Sequence, residues 1–240
     1  MNKITVVCCY NNKKQLDEFV ASLENQTEKC DIILIENIGN KFSSCSQALN
    51  HALKKVKTEY VVFSHQDIIL SENDMLENFI NYIKQTNCGD IVGVAGAKGK
   101  SQVYTNIKQS SELVYAGKNR VSGLLECYTV DECFFGGHTK SFKDNPFDEK
   151  LCDNWHMYAI ERCLNANFSG NKVYVCDIPL VHQSSGKINH AYNVNFYNIS
   201  KAYAKKTDWI YTTCASAKTN FWGRVISYVK REISIRLNRY

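Results

Sequence analysis

No run of eighteen apolar residues occurs in this 240-residue sequence, so no membrane-spanning helix is expected. The opening MNKITVVCCYNNKK has an apolar centre too short for a secretory signal and no small-residue cleavage site, so it reads as a first strand. Neither GxGxxG nor GxxxxGK followed by Ser or Thr comes after that strand, which argues against a dinucleotide-binding fold and a P-loop ATPase. The eleven cysteines include no CxxC pair and are odd in number. Cys8, Cys9, Cys127, Cys163 and Cys176 sit inside apolar runs, where a free thiol behaves as a small hydrophobe. The expectation is a reduced, cytoplasmic protein without disulfides or structural zinc. Spread-out positive charge is also missing. The net charge is +5, but Arg224, Lys230, Arg231, Arg236 and Arg239 against Glu232 place most of it in the last twenty residues. A diffuse nucleic-acid footprint finds no support, whereas a local basic patch does.

What is present is ordinary globular material, 44% hydrophobic and 22% charged, enough for one large α/β domain or two small ones. The β-branched run over 3–9 ends at Tyr10, Asn11 and Asn12. Leu16, Phe19, Val20 and Leu23 then recur at helical spacing. DIILIEN (31–37) reads as a second buried strand. The segment 42–56 reads as a helix capped by Ser43 or Ser44. YVVFSHQDIIL (60–70) begins as a third buried strand and breaks at Ser64, His65, Gln66 and Asp67. Ligands sit at the carboxyl ends of strands in an open α/β sheet, and a carboxylate there can hold a divalent ion against phosphate oxygens. Ser64 and Asp67 also suit a simple turn cap. Asn73 suits the cap of a helix over 74–85, and 88–96 reads as a fourth strand. Repeated β-α units with short connections imply a mostly parallel sheet with right-handed crossovers.

From residue 98 to 120 the chain turns polar and irregular. Residues 124–135 return to a strand pattern with Asp131 and Glu132 in the middle. That acidic pair either faces a polar site or marks a strand break. Residues 136–151 read as a loop, and from Cys152 the spacing predicts a helix in which Asp153 and His156 share one face. Asp153 equally suits its N-cap. Residues 173–186 read as a last strand and a polar turn, with His182 followed by Gln183, Ser184, Ser185 and Gly186.

In their order and spacing, ITVVCCYNN, LIEN, FSHQD, VDECFF, FDEKL with WHMYAIERCL, and LVHQSSGKIN resemble the GT-A class of nucleotide-sugar glycosyltransferases, specifically the bacterial family-2-like group. The resemblance covers roughly residues 3–190 and implies an α/β GT-A fold. A nucleotide-sugar-binding half would span 1–97, an acceptor and catalytic half 98–205, and a basic amphipathic tail 206–240. It implies metal-dependent transfer of a sugar, with a UDP-sugar favoured, to a hydroxyl of a glycan or lipid-linked acceptor, with inversion. Carried over by position, Cys9, Tyr10, Asn11 and Glu36 would hold base and ribose, with His65, Gln66, Asp131 and Glu132 lining the donor site. Asp67 and His182 would ligate Mn²⁺ or Mg²⁺. The family's first metal-motif aspartate is replaced here by His65. The general base would be Asp153, with His156 and Glu161 as weaker candidates, and Trp155 would stack on an acceptor sugar.

Trp222, Ile226, Val229, Ile233 and Leu237 form one stripe of a C-terminal helix among cations. The pattern suits an anionic membrane surface, which would place the protein at the inner face of the plasma membrane; it also suits packing on its own domain or a partner. Two other readings stay open. One is an inactive sugar-nucleotide-binding scaffold of the same fold. The other is a nucleotidyltransferase, although CYNNKK lacks the glycines such an enzyme wants after its first strand.

Overall fold

The computed structural model describes residues 2–109, 113–184 and 188–237. Ser185 and Gly186 of the polar turn, and Arg239 of the tail, lie outside them. The chain opens as β1 (Ile4–Tyr10), α1 (Lys13–Glu24), β2 (Asp31–Glu36), α2 (Cys45–Leu53) and β3 (Tyr60–Ser64). Then follow β4 (Ile68–Ile69), α3 (Met75–Ile83), β5 (Ile91–Gly93), β6 (Ala95–Gly99), β7 (Gln102–Thr105), β8 (Lys108–Gln109) and β9 (Val114–Tyr115). Next come β10 (Leu124–Cys127), β11 (Thr129–Val130), β12 (Phe134–His138), α4 (Thr139–Asp144) and α5 (Tyr158–Phe168). The chain closes with β13 (Val173–Cys176), β14 (Val181–His182), α6 (His190–Ala202), β15 (Trp209–Tyr211), β16 (Ser216–Lys218) and α7 (Phe221–Arg236).

Among the described residues the main sheet has seven strands in the order β10-β13-β5-β12-β3-β1-β2. The α/β expectation holds, and β2, β1 and β3 run parallel. Beyond them the sheet is mixed, because β12 enters antiparallel between β3 and β5 and β10 pairs antiparallel with β13. Two cores result. One lies under α1 and α3 around Phe19, Phe79 and Phe134; the other lies under α2 and α5 around Phe63, Phe135 and Phe142. β3 is buried throughout its length, as a central strand covered on both faces should be. β2 departs from the expectation of a buried strand. It is the sheet edge, and Leu34 is largely exposed.

Local competition explains the other departures. Asn73 does not cap α3: the N-cap position falls on Asp74, whose side chain makes no capping bond, and Gln26 Oε1 accepts Leu76 N–H at 3.1 Å instead. The fourth strand divides into β5 and β6, which join different sheets. The stretch 98–120 is not irregular throughout: it supplies β7, β8 and β9 to two small sheets. The stretch 124–135 is three strands, with Asp131 and Glu132 in the turn between β11 and β12. The expected loop 136–151 contains the end of β12 and α4. The expected last strand is two, β13 in the main sheet and β14 between β4 and β8, and β15 and β16 follow.

The expected helix from Cys152 begins only at Tyr158. Asp148 Oδ1 accepts the N–H groups of Lys150 and Leu151, and Asn154 Oδ1 accepts that of His156, so side chains hold 148–156 in turns. Met157 then takes a left-handed φ of 72°. Asp153 and His156 therefore lie on a loop rather than on one helical face, and Asp153 caps nothing.

Gly136 leaves no room for a side chain between β12 and β3. A Cβ there would lie 2.0 Å from the Val61 carbonyl oxygen and 3.0 Å from Val62 Cα, both backbone atoms of β3. Gly136→Ala should cost about 3 kcal/mol as the strands part, a melting-temperature loss of about 6–12 °C by calorimetry.

Candidate functional site

β1, β2 and β3 end side by side. Cys9, Tyr10, Asn11, Asn37, Asn40, His65, Gln66, Asp67 and Trp155 line a cavity of about 330 Å³ at those ends. Gln66 builds its floor: Oε1 accepts the N–H groups of Asn11 and Asn12, both at 2.9 Å, and Nε2 donates to Asn11 Oδ1 at 2.9 Å. Gln66 thus locks the end of β3 to the turn after β1. Asn12 in turn caps α1 through Lys14 and Gln15 N–H. Burial pushes the Cys9 thiol up to about 12, so it lines the cavity as a neutral group.

Glu36 is not among the residues lining this cavity. It pairs with Lys41 Nζ at 2.7 Å and accepts from the Tyr10 hydroxyl at 3.3 Å, and Lys41 holds its carboxyl below the usual range. The next turn supplies the lining instead, as Gly39 (φ 83°) and Asn40 (φ 56°) take left-handed conformations that bring Asn37 and Asn40 to the rim. The Asn-Ile-Gly-Asn run after β2 was the available sequence signal for both. Trp155 was expected at an acceptor. It stands on the rim of this strand-end cavity.

His65, Asp67 and His182 meet at the boundary of a second cavity. One ligand-capable atom from each lies within 4.8 Å of the others. β14 pairs antiparallel with β4 and places His182 opposite Ile68, one residue past Asp67. His182 Nε2 lies 3.3 Å from Asp67 Oδ1 and is buried, yet no aligned hydrogen bond satisfies it. Asp67 also accepts from the Ser184 hydroxyl. Burial alone would raise the Asp67 carboxyl, but His182, His65 and Ser184 overcome it and hold the group well below the usual carboxylate range. Burial lowers His182 and Asp67 more than reverses that, raising it; burial lowers His65. His65 Nε2 lies 3.2 Å from the Tyr158 hydroxyl, which fixes the ring. An ionised carboxylate, a neutral imidazole and a second imidazole with an unsatisfied buried nitrogen make a donor set that fits Mn²⁺ better than the all-oxygen shell of Mg²⁺. His65 thus stands beside Asp67 and His182 as a third candidate donor. A histidine at the first motif position gave that signal, but only the fold shows it turned to the same point.

The second cavity, about 480 Å³, is lined by His65, Asp131, Glu132, His156, His182 and Thr213 among others. Asp131 accepts Cys133 N–H at 3.1 Å and the Thr213 hydroxyl at 2.5 Å. Burial and then Asp131 raise the Glu132 carboxyl well above its ordinary value, although backbone N–H groups at the start of α5 oppose the rise. The acidic pair therefore lies at a strand break and also faces a polar site. His156 reaches this cavity, and burial followed by His65 lowers its pKa. Asp153 is exposed and lines neither cavity. Glu161 lies in α5, buried, and accepts the Tyr203 hydroxyl at 2.7 Å away from both. No helix of the described residues is long and apolar enough to cross a membrane.

Residues 5–220 match the model of the "Glycosyltransferase like family". The chain is 24% identical over 212 residues to the protein called ATP synthase subunits region ORF 6 of Fuscovulum blasticum, covering 84% of this chain and 82% of that protein. It is 30% identical over 129 residues to poly(ribitol-phosphate) beta-N-acetylglucosaminyltransferase TarP of Staphylococcus aureus, covering 42% and 39%. Among solved structures it superposes on mannosyltransferase PcManGT of Pyrobaculum calidifontis, in complex with GDP-Man and Mn²⁺, at a TM-score of 0.56 and 12% identity, over 85% of this chain and 63% of that one. S. aureus TarS 1–349 with UDP-GlcNAc gives 0.57 and 16%, over 85% and 66%. The chain spans less than two thirds of each of these two solved chains.

Proposed function

The chain belongs to the glycosyltransferase-like family, and from that premise we propose that it moves a sugar from a nucleoside diphosphate donor, a UDP-sugar, to an acceptor hydroxyl. The observation that carries the reading is the His65–Asp67–His182 cluster standing between a strand-end cavity and a second cavity with acidic walls. In this reading Asn11, Asn37 and Asn40 bind base and ribose by hydrogen bonds, and Trp155 covers an aromatic or sugar face. Mn²⁺ in PcManGT and UDP-GlcNAc in TarS support the choice of ligands. A divalent ion held by Asp67, His182 and His65 would supply charge neutralisation for the departing diphosphate.

The acceptor then occupies the larger cavity, with its hydroxyl facing the anomeric carbon from the side opposite the diphosphate. His156, neutral because burial lowers its pKa, accepts the proton as that oxygen attacks, and the configuration inverts. Asp131, held by Thr213 and the Cys133 N–H, orients acceptor hydroxyls. Nucleotide release from a panel of UDP-, GDP- and dTDP-sugars with Mn²⁺ tests the function. Release from one donor class supports it; thermal-shift binding of a donor without release under any acceptor supports the inactive scaffold instead.

Glu161 takes no part in this scheme. Its carboxyl is raised by burial despite the Tyr203 hydrogen bond, so the folded state holds a proton more tightly than the unfolded one. Its contribution to stability is full below the ordinary carboxylate pKa and is lost as pH rises through the raised value. Glu161→Gln keeps an acceptor for Tyr203. It should flatten that slope in calorimetry across pH and leave transfer within about twofold, under about 0.5 kcal/mol.

A further inference from the structure

α7 is packed with its polar side in. Arg224 and Arg231, 9% and 5% exposed, form the face against α6. Arg231 lies 4.2 Å over the Phe196 ring and donates to Asn193 Oδ1 at 2.8 Å. Arg224 lies 5.7 Å over Tyr197 and donates to the Thr219 carbonyl. The guanidinium planes and their stems seat the helix together with the Tyr228 ring, which meets Tyr197 of α6 edge-on at 5.7 Å. Trp222, Ile226, Val229, Ile233 and Leu237 face outward instead, from 47% exposed at Val229 to 71% at Trp222. At 3.6 residues per turn these five fall within an arc of about 80°.

Charge decides what covers that stripe. Lys230 and Arg236 are exposed and flank the arc on its two sides. Glu232, the only acid on the helix, turns toward α6, where Asn193 Nδ2 donates to it at 2.9 Å and His190 Nδ1 lies at 3.0 Å. Arg236 approaches Glu232 only to 3.9 Å, with its side chain 78% exposed. Residues 201–240 hold nine cations against Asp208 and Glu232, while the whole chain is only +5, so the rest of the molecule is slightly acidic. A second copy packed stripe to stripe would set cationic borders against cationic borders.

We propose that α7 docks the protein on an anionic lipid surface, with Trp222, Ile226, Val229, Ile233 and Leu237 seated among the headgroups and acyl chains and Lys230 and Arg236 against lipid phosphates. The docked helix lies in the plane of the interface and does not cross it. The surface is independent of what the cavities bind.

Flotation of the full chain with phosphatidylcholine vesicles, with and without phosphatidylglycerol, tests the proposal. The chain should float with the anionic vesicles and bind neutral ones at least about tenfold more weakly. Lys230→Gln with Arg236→Gln should reduce anionic binding at least about tenfold, as should raised salt. Trp222→Ser with Ile233→Ser changes only outward side chains, so it should abolish flotation with an unaltered melting temperature. The proposal is overturned if the chain stays with the soluble fraction, or if both variants float like the parent. It is equally overturned if sedimentation equilibrium shows a dimer that Trp222→Ser dissolves and vesicles do not bind.

Discussion

Asp67→Asn should reduce donor-dependent nucleotide release by a hundredfold or more. The substitution is isosteric, but it removes the only carboxylate of the His65–Asp67–His182 cluster. Asp67 is held ionised against its own burial by His182, His65 and Ser184, so the fold already supports an anion at this point. An amide there cannot compensate a divalent ion. Lewis-acid stabilisation of a departing diphosphate amounts to several kcal/mol, and each 1.36 kcal/mol is a factor of ten in rate. Titration of Mn²⁺ into the variant, followed by calorimetry, should show weakened metal binding at an unchanged stoichiometry of folded protein. Wild-type Mn²⁺ affinity together with wild-type release would remove Asp67 from the site. His182→Ala should follow the same pattern, since it removes one candidate donor and the imidazole 3.3 Å from Asp67 Oδ1.

The second large effect is expected at His156. Loss of a positioned proton acceptor lowers turnover by about 10²–10⁴, so His156→Ala should lose kcat by that factor while donor affinity, read by thermal shift, stays unchanged. Because burial and His65 lower the His156 pKa, the acid limb of the kcat profile should fall below the ordinary imidazole value of about 6.5. Asp153→Asn is the matched control. Asp153 is exposed on the loop before α5 and lines neither cavity, so near-wild-type turnover is expected. A collapse of turnover in Asp153→Asn with an active His156→Ala would reverse the two roles.

The first half of the chain was legible because its signals are local. Ser44 caps α2, Leu16, Phe19 and Leu23 form the buried face of α1, and the run Tyr60–Phe63 is a buried strand. Each of these depends on residues within one or two turns of chain. The second half resists such reading because its elements depend on remote partners. β11 has two residues and exists through pairing with β6; β14 has two and exists through β4 and β8. α5 starts later than its apolar spacing predicts for a related reason. Asp148 and Asn154 satisfy backbone N–H groups with their own side chains, an alternative to helix that composition does not distinguish. The turns before α5 put His156 at the cavity and leave Asp153 outside it.

Sequence alone determined the α/β class, the family resemblance, Asp67 and His182 as metal candidates, and the existence of an apolar stripe in the last helix. Tertiary structure decided which side chains converge. His65 became the third member of the cluster because β14, more than a hundred residues away, lays His182 alongside β4. One left-handed turn brings Asn37 and Asn40, rather than Glu36, to the lining of the strand-end cavity. The direction of the stripe on α7 was settled by Phe196 and Asn193 on α6, which bind Arg231 and so turn Trp222 and Ile233 outward. Periodicity specifies that a helix has two faces; the partner that satisfies a buried guanidinium specifies which one is covered.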